Sequence, residues 1–191
     1  KDLLSFSLNK LAPTTKSTQS FNNKFGVPLS LFNAKKNDKY VILEAGMDKA
    51  GEIDNLTKII RPNFGVITNI SYAHIKNFKN LSGIAKAKSE IINNIVNGGM
   101  IVLNKDDDYF NFLKKIAMKK NIRVISISKK KYSSDVYIKK IIHKKSNSLI
   151  FIKTKGITKS FLIKKNLFPY LDNILSSVAL ISEFYNLKYV D

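Results

Sequence analysis

The stretch Val41-Ile42-Leu43-Glu44-Ala45-Gly46-Met47, followed by Gly65-Val66-Ile67-Thr68-Asn69-Ile70 and then Ala73-His74, decides the fold. Two apolar, strand-like runs each deliver a metal-capable group at or just past their ends, Glu44 in the first and His74 in the second. Ligands of an open parallel sheet bind beyond the carboxyl ends of its strands, so this is where a nucleotide and metal site would form. Outward from this stretch the pattern stays regular. Residues 40–43, 64–70, 100–103 and 123–128 read as strands, and 51–60, 81–95 and 109–119 as helices, with Ile53, Leu56, Ile59 and Ile60 at helical spacing. Strands alternating with helices of this length imply right-handed βαβ crossovers and a parallel sheet.

The texture changes after Lys129. Residues 136–142, 149–154 and 157–163 are β-rich runs separated by short polar turns, among them Lys155-Gly156, with no helical pattern between them. They read as a small antiparallel meander attached to the parallel sheet. A terminal helix over 171–185 follows Pro169, and at the other end a helix over 3–11 precedes Pro13 and a polar extended segment over 14–23. Pro28, in Gly26-Val27-Pro28-Leu29-Ser30-Leu31-Phe32, suits the first turn of a helix. The expected class is α/β, a mostly parallel sheet flanked by helices. Its parts are a parallel portion over 1–128, an antiparallel portion over 132–165 and a terminal helix within 168–187.

A chain of 191 residues, 44% hydrophobic and 25% charged, has the length and composition of one folded domain. It has no cysteine, which excludes disulfides and thiolate metal sites. No apolar run approaches the ~20 residues of a membrane span, so membrane insertion is not expected. The first residues lack the pattern of a signal peptide, and the default location is the cytoplasm. The net charge of +19 invites a nucleic-acid reading, yet Arg61 and Arg123 are the only arginines and the lysines are scattered. Arginine is the side chain that forks onto phosphate and guanine, so specific nucleic-acid recognition is not expected. Lys129-Lys130-Lys131, the densest basic run, reads as a solvated loop.

Glu44 ends an apolar strand, a costly place for a carboxylate unless it is paired, bound to metal or exposed to water. His74 reads either as a surface histidine or as a ligand. Asn69, Asn104 and Asp106-Asp107-Asp108 also fall at or beyond strand ends, which makes a shared polar edge the stronger reading. Lys88 lies within the apolar stripe of Leu81, Ile84, Ile91, Ile92 and Ile95, while Lys86 and Glu90 on the opposite face form a possible i,i+4 pair. A lysine there either snorkels or has its amine chemistry changed by burial. The phosphate-loop pattern G-x-x-x-x-G-K-[ST] does not occur, and Gly98-Gly99 leads into a strand rather than a helix.

Several of these segments resemble the Mur ligases, the ATP-dependent amide-forming enzymes of peptidoglycan synthesis. They are Ser20 through Leu31 with its Asn22-Asn23-Lys24-Phe25-Gly26-Val27-Pro28, Leu43-Glu44-Ala45-Gly46-Met47 with Gly51-Glu52-Ile53, Pro62 through Phe78, Ile84 through Ile91, and Val102-Leu103-Asn104 with Asp106-Asp107. Their order is that of the family's central, P-loop-type ATP-binding domain. The Asn-Asn-x-x-Gly-Val-Pro and Glu-Ala-Gly-Met forms are similar to the branch that adds D-alanyl-D-alanine to UDP-N-acetylmuramoyl-tripeptide. The resemblance implies ATP and Mg2+ as cofactors, these two molecules as substrates, and an acyl phosphate on the path. It implies Glu44, His74 and Lys88 as magnesium ligands, with Lys88 carbamylated and Lys88 and His74 catalytic. It implies Asn22 and Asn23 near the muramoyl peptide, and Asn173 as the last asparagine of an adenine-contact motif whose usual histidine and asparagine are Pro169 and Tyr170 here. It also implies a phosphate loop just upstream of Lys1 and amino- and carboxy-terminal domains beyond these residues, so that the chain alone is expected to be inactive. Two alternatives are a Mur-type ligase for a different amine and a non-catalytic basic module that keeps the fold.

Overall fold

The computed structural model describes residues 1–72 and 77–189. Its elements, in order, are α1 (Asp2–Asn9), β1 (Thr14–Lys16), α2 (Gly26–Phe32), β2 (Tyr40–Ile42), α3 (Glu52–Ile60), β3 (Phe64–Ile67), α4 (Leu81–Ser89), β4 (Met100–Asn104), α5 (Phe110–Lys119), β5 (Arg123–Ser128), β6 (Val136–His143), β7 (Asn147–Thr154), β8 (Ile157–Lys164) and α6 (Leu171–Phe184). Strands β3 to β8 form one sheet in sequence order. β3, β4, β5 and β6 run parallel, and β6, β7 and β8 form an antiparallel meander. The expected α/β class with a carboxy-terminal meander is what the chain adopts.

The core divides by the period-two alternation of the strands. Val102 of β4, Ile125 and Ile127 of β5, and Val136, Ile138, Ile150, Ile152 and Ile163 of the meander point to one face, which Leu175, Val178, Ala179 and Ile181 of α6 cover. Ile67, Ile101 and Leu103 point to the other, where Phe110, Leu113 and Ala117 of α5 meet Ile92 and Ile95. This second cluster contains no residue of β6, β7 or β8.

Three expectations need correction. β2 pairs in parallel only with β1, in a separate two-stranded sheet, so the strand leading to Glu44 is not hydrogen-bonded to β3. The two sheets meet through Phe184 of α6, whose ring lies 5.0 Å from Tyr40 and 4.8 Å from Phe64. Burial, and after it a hydrogen bond to Tyr185, raises the Tyr40 hydroxyl above the ordinary phenol range. Second, the helix expected over 81–95 is α-helical only to Ser89 and tightens to a 3-10 helix over Glu90–Asn94. Third, Glu90 turns away from Lys86. Its carboxylate accepts hydrogen bonds from the backbone N–H of Gly51 at 2.7 Å and of Asp54 at 3.1 Å, at the start of α3.

That start needs outside help, because Gly51 sits at φ +88° and contributes no side chain to the cap. A carboxylate there satisfies two orphan donors and complements the positive end of the helix dipole. Glu90→Ala should lower unfolding stability by about 1–2 kcal/mol, the scale of a lost cap, with Lys86→Ala close to neutral. A pair of urea titrations measures both, and equal losses would mean that Glu90 does not act through α3.

Candidate functional site

The carboxyl ends of β3 and β4 lie side by side, since Ile67 pairs with Leu103. Three side chains from different elements hold three successive residues that leave β3. The Asn104 amide donates to the Thr68 carbonyl at 3.3 Å, the Lys88 ammonium donates to the Asn69 carbonyl at 2.8 Å, and Asp107 accepts from the Ile70 N–H at 2.6 Å. Asp107 is a brace rather than a free ligand, because its other oxygen accepts from the Tyr109 N–H at 2.9 Å. Asp106 is also committed, accepting from Ser128 Oγ at 2.6 Å and the Lys129 N–H at 2.7 Å.

Lys88 sits on α4 beside Ala87, which with Ile84 belongs to a small buried cluster that Ala45, Ile70, Phe78, Leu81 and Ile91 flank. Burial lowers the pKa of the Lys88 amine below that of an ordinary lysine, and the negative charge of Asp107 offsets part of the effect. Ala45 follows Glu44 in the chain and Ile70 follows Asn69, so the segments bearing Glu44, Asn69 and Lys88 converge on one apolar patch.

Glu44 itself is solvent-facing, with 45% of its side chain exposed. One oxygen accepts from the Asn22 amide at 3.0 Å and the other lies 3.6 Å from Lys1 Nζ. The cost of ending an apolar strand in a carboxylate is thus avoided by exposure and pairing. Asn22 is locked in turn, because its carbonyl accepts from the Gly46 N–H at 2.7 Å. Asn23 faces the other way and closes α2, its side-chain oxygen accepting from the N–H of Phe25 at 3.1 Å and of Gly26 at 2.9 Å. The adjacent asparagines therefore do different work, one holding a carboxylate and one capping a helix.

Asn173 is exposed in the first turn of α6, just after a 3-10 helix over Lys165–Tyr170 that contains Pro169. Lys129, expected to be solvated, pairs with Asp172 at 2.8 Å across that same turn. His74 lies outside the described residues. No cluster of three or more His, Asp or Glu able to hold a metal occurs among the described residues.

Local chemistry could have exposed the Asn23 cap, since an asparagine before a helix-initiating Gly-x-Pro is a common capping pattern. The Asn22 to Glu44 bond and the Glu90 cap join residues far apart in sequence, and no periodicity signals them. The same holds for Glu183, nearly buried at the far end of α6 and bonded to Arg123 and to Lys155. That cluster borders a cavity of about 380 Å³. Arg123 is the first residue of β5, so this cavity lies at the amino edge of the parallel strands, away from Glu44 and Lys88.

A mostly parallel sheet with polar groups gathered at its carboxyl edge is the frame of an α/β ligand-binding domain. Residues 2–180 match the Mur ligase middle domain, and the chain belongs to that family. It is 37% identical over 134 residues to the UDP-N-acetylmuramoyl-tripeptide–D-alanyl-D-alanine ligase of Buchnera aphidicola from Acyrthosiphon pisum, a match covering 70% of this chain and 30% of the relative. The chain thus spans under a third of that relative's length. A crystal structure of MurF from Acinetobacter baumannii superimposes with a TM-score of 0.85 at 28% identity, covering 95% of this chain and 39% of that one. MurF ligase from Thermotoga maritima in complex with ADP shares the fold, with a TM-score of 0.83 at 21% identity over 96% of this chain and 42% of that one.

Proposed function

We propose that this chain is the central, ATP-binding part of a cytoplasmic ligase that joins D-alanyl-D-alanine to UDP-N-acetylmuramoyl-tripeptide. The observation that carries the reading is the convergence of the Glu44, Asn69 and Lys88 segments at the carboxyl edge of the strands, in a chain of the Mur ligase family. The named relatives supply the reaction class and the Thermotoga neighbour the nucleotide.

In that reaction the terminal carboxylate of the tripeptide attacks the γ-phosphorus of ATP, ADP leaves, and an acyl phosphate forms. The amine of D-alanyl-D-alanine then attacks the acyl carbon and phosphate departs. Magnesium, when bound, supplies positive charge against the transferring phosphate oxygens. The donor set suits a hard cation in part. Glu44 offers a solvent-facing carboxylate held by Asn22, whereas Lys88 as an ammonium would repel it. A lysine whose pKa burial has lowered exposes a neutral amine more readily, and a neutral amine captures carbon dioxide as a carbamate, an anionic oxygen donor of the kind magnesium accepts. In this reading His74 completes the ligand set, Asn22 orients Glu44, Asn23 shapes the loop near the muramoyl peptide, and Asn173 approaches the adenine.

The test is a ligation assay on the longest natural polypeptide carrying these residues, with D-alanyl-D-alanine and single amino acids offered as competing amines. Selective ATP-dependent product with the dipeptide is expected. Preferential use of a single amino acid, or no turnover with any amine, would overturn the substrate assignment.

A further inference from the structure

We propose that the outer face of the β6–β8 meander docks reversibly on the anionic surface of a lipid bilayer. This goes beyond the ligase reading and does not depend on it. One face of the meander packs on α6, and the cluster covering the other face of β3 to β5 stops short of it. The register shows what that uncovered face carries. Ile142 pairs with Leu149 and Leu149 with Leu162, so three aliphatic side chains form a row straight across the three strands. Leu162 is 64% exposed and Ile142 37% exposed. At a strand spacing of ~4.8 Å the row spans only about 10 Å, enough to enter a headgroup region and too little for permanent anchoring.

Lysines surround the row on the same face. Lys140 lies opposite Phe151, Lys153 opposite Tyr137, and Lys164 opposite Asn147, each in the alternation that points away from the buried Ser148, Ile150, Ile152 and Ile163. Over residues 136–165 the sequence has nine lysines and no aspartate or glutamate, although the whole chain carries 14 acidic residues. Lys155 pairs with Glu183 at 3.1 Å, and no other lysine of the meander has a carboxylate partner among the described residues. Edge-strand lysines also deter strand-to-strand aggregation, but that role calls for charge along the β8 edge and not for an aliphatic row across all three strands, exposed at Ile142 and Leu162 and half-buried at Leu149.

The chemistry fits lipid better than nucleic acid. Lysine is a point charge that needs no forked geometry, neither arginine of the chain falls in the meander, and lysine stems can lie along an apolar patch while their ammonium groups reach lipid phosphates. An aliphatic row offers no stacking platform for bases.

The experiment uses the whole chain. Because it has no cysteine, Leu162→Cys and Met118→Cys each give a unique site for an environment-sensitive fluorophore. Both positions are exposed, and Met118 lies on α5. Phosphatidylcholine vesicles containing phosphatidylglycerol should blue-shift the label at 162 and leave the label at 118 unchanged, while pure phosphatidylcholine should shift neither. In flotation with the same vesicles, Lys140→Glu with Lys164→Glu should weaken binding at least tenfold, since each lysine near an anionic surface contributes about fivefold. Lys114→Glu with Lys119→Glu on α5 makes the same change in net charge and should weaken it less than about threefold. Equal losses from the two pairs, or no shift at 162, would overturn the proposal. So would a label at 162 already shielded before lipid is added, which would mean that another part of the polypeptide covers the face. Tighter binding to polyglutamate or to DNA than to the vesicles at the same salt would overturn it in favour of an acidic protein or a nucleic acid.

Discussion

On the proposed ligase reading, replacing Lys88 with alanine in the full-length polypeptide should lower turnover about 100- to 1000-fold, the range seen when one preorganised charge-stabilising group is removed. If Lys88 carries the proposed carbamate, short carboxylates added to the assay should restore part of it by occupying the same space. Lys86→Ala should be nearly silent, because Lys86 is exposed on the opposite side of α4. The contrast separates the chemistry of Lys88 from general loss of helix charge. Stability supplies a second readout. The native state binds the Lys88 proton less tightly than the unfolded chain, because burial lowers the folded pKa below 10.5. Below that folded pKa both states are protonated and the desolvation penalty is present in full. As pH rises from the folded pKa toward the unfolded one the penalty fades, so stability rises with pH in that window. Lys88→Met should flatten the rise. Turnover unchanged by Lys88→Ala would remove Lys88 from the site, and carboxylate rescue of Lys86→Ala instead would mean that α4 is misread.

The sequence makes the architecture legible because the β-rich runs differ in what separates them. β4 reads as a continuous apolar strand from Met100 to Leu103, since both of its faces are covered, by α6 on one side and α5 on the other. β7 alternates strictly between half-buried and buried residues, but its continuous Leu149-Ile150-Phe151-Ile152 does not show that alternation. The meander is marked in the sequence instead by short β-rich runs separated by polar turns with no helical pattern between them. The division into two sheets is not legible, since nothing in Tyr40-Val41-Ile42 says which strand it pairs with. The break in the helix at Glu90 is hidden for a similar reason. The apolar spacing continues through Ile91, Ile92 and Ile95, and the change to a 3-10 helix accompanies a carboxylate bonded to α3, 39 residues away in sequence.

The site is legible in its elements and not in its bonds. Glu44 and Lys88 stand out because each violates the expectation for its place, a carboxylate after an apolar strand and a lysine in an apolar stripe. What surrounds them is visible only in three dimensions. Asp106 and Asp107 look like metal donors in sequence, yet their oxygens are taken by backbone N–H groups and Ser128. Among the carboxylates singled out at this edge, that leaves the exposed Asp108 and Glu44, whose partner Asn22 lies 22 residues earlier.

The hold of Asn22 on Glu44 depends on two glycines that press on the same loop from different sides, and replacing them should have unequal effects. At Gly26 a methyl group would lie 2.5 Å from the Phe21 Cα and 2.7 Å from its carbonyl carbon, so the backbone itself must move. At Gly46 it would lie 2.8 to 2.9 Å from the Asn22 carboxamide, a side-chain tip able to rotate away. Gly26→Ala should therefore cost about 1–3 kcal/mol of stability, the scale of overpacking, because Gly26 is buried and the Phe21 backbone is tied to Thr18 by a hydrogen bond. Gly46→Ala should cost less, since it displaces only an exposed amide. With magnesium at Glu44 as proposed, both should pull Asn22 from Glu44 and raise the magnesium concentration needed for turnover roughly 10- to 100-fold, the usual effect of losing a group that orients a ligand. Asn22→Ala should reproduce that loss with little change in unfolding midpoint. Urea titrations and magnesium-dependent rates on the three variants test the scheme together. If Asn22→Ala left the magnesium dependence intact while Gly46→Ala abolished it, the glycine would act on the Glu44 backbone directly, and Asn22 would be a bystander.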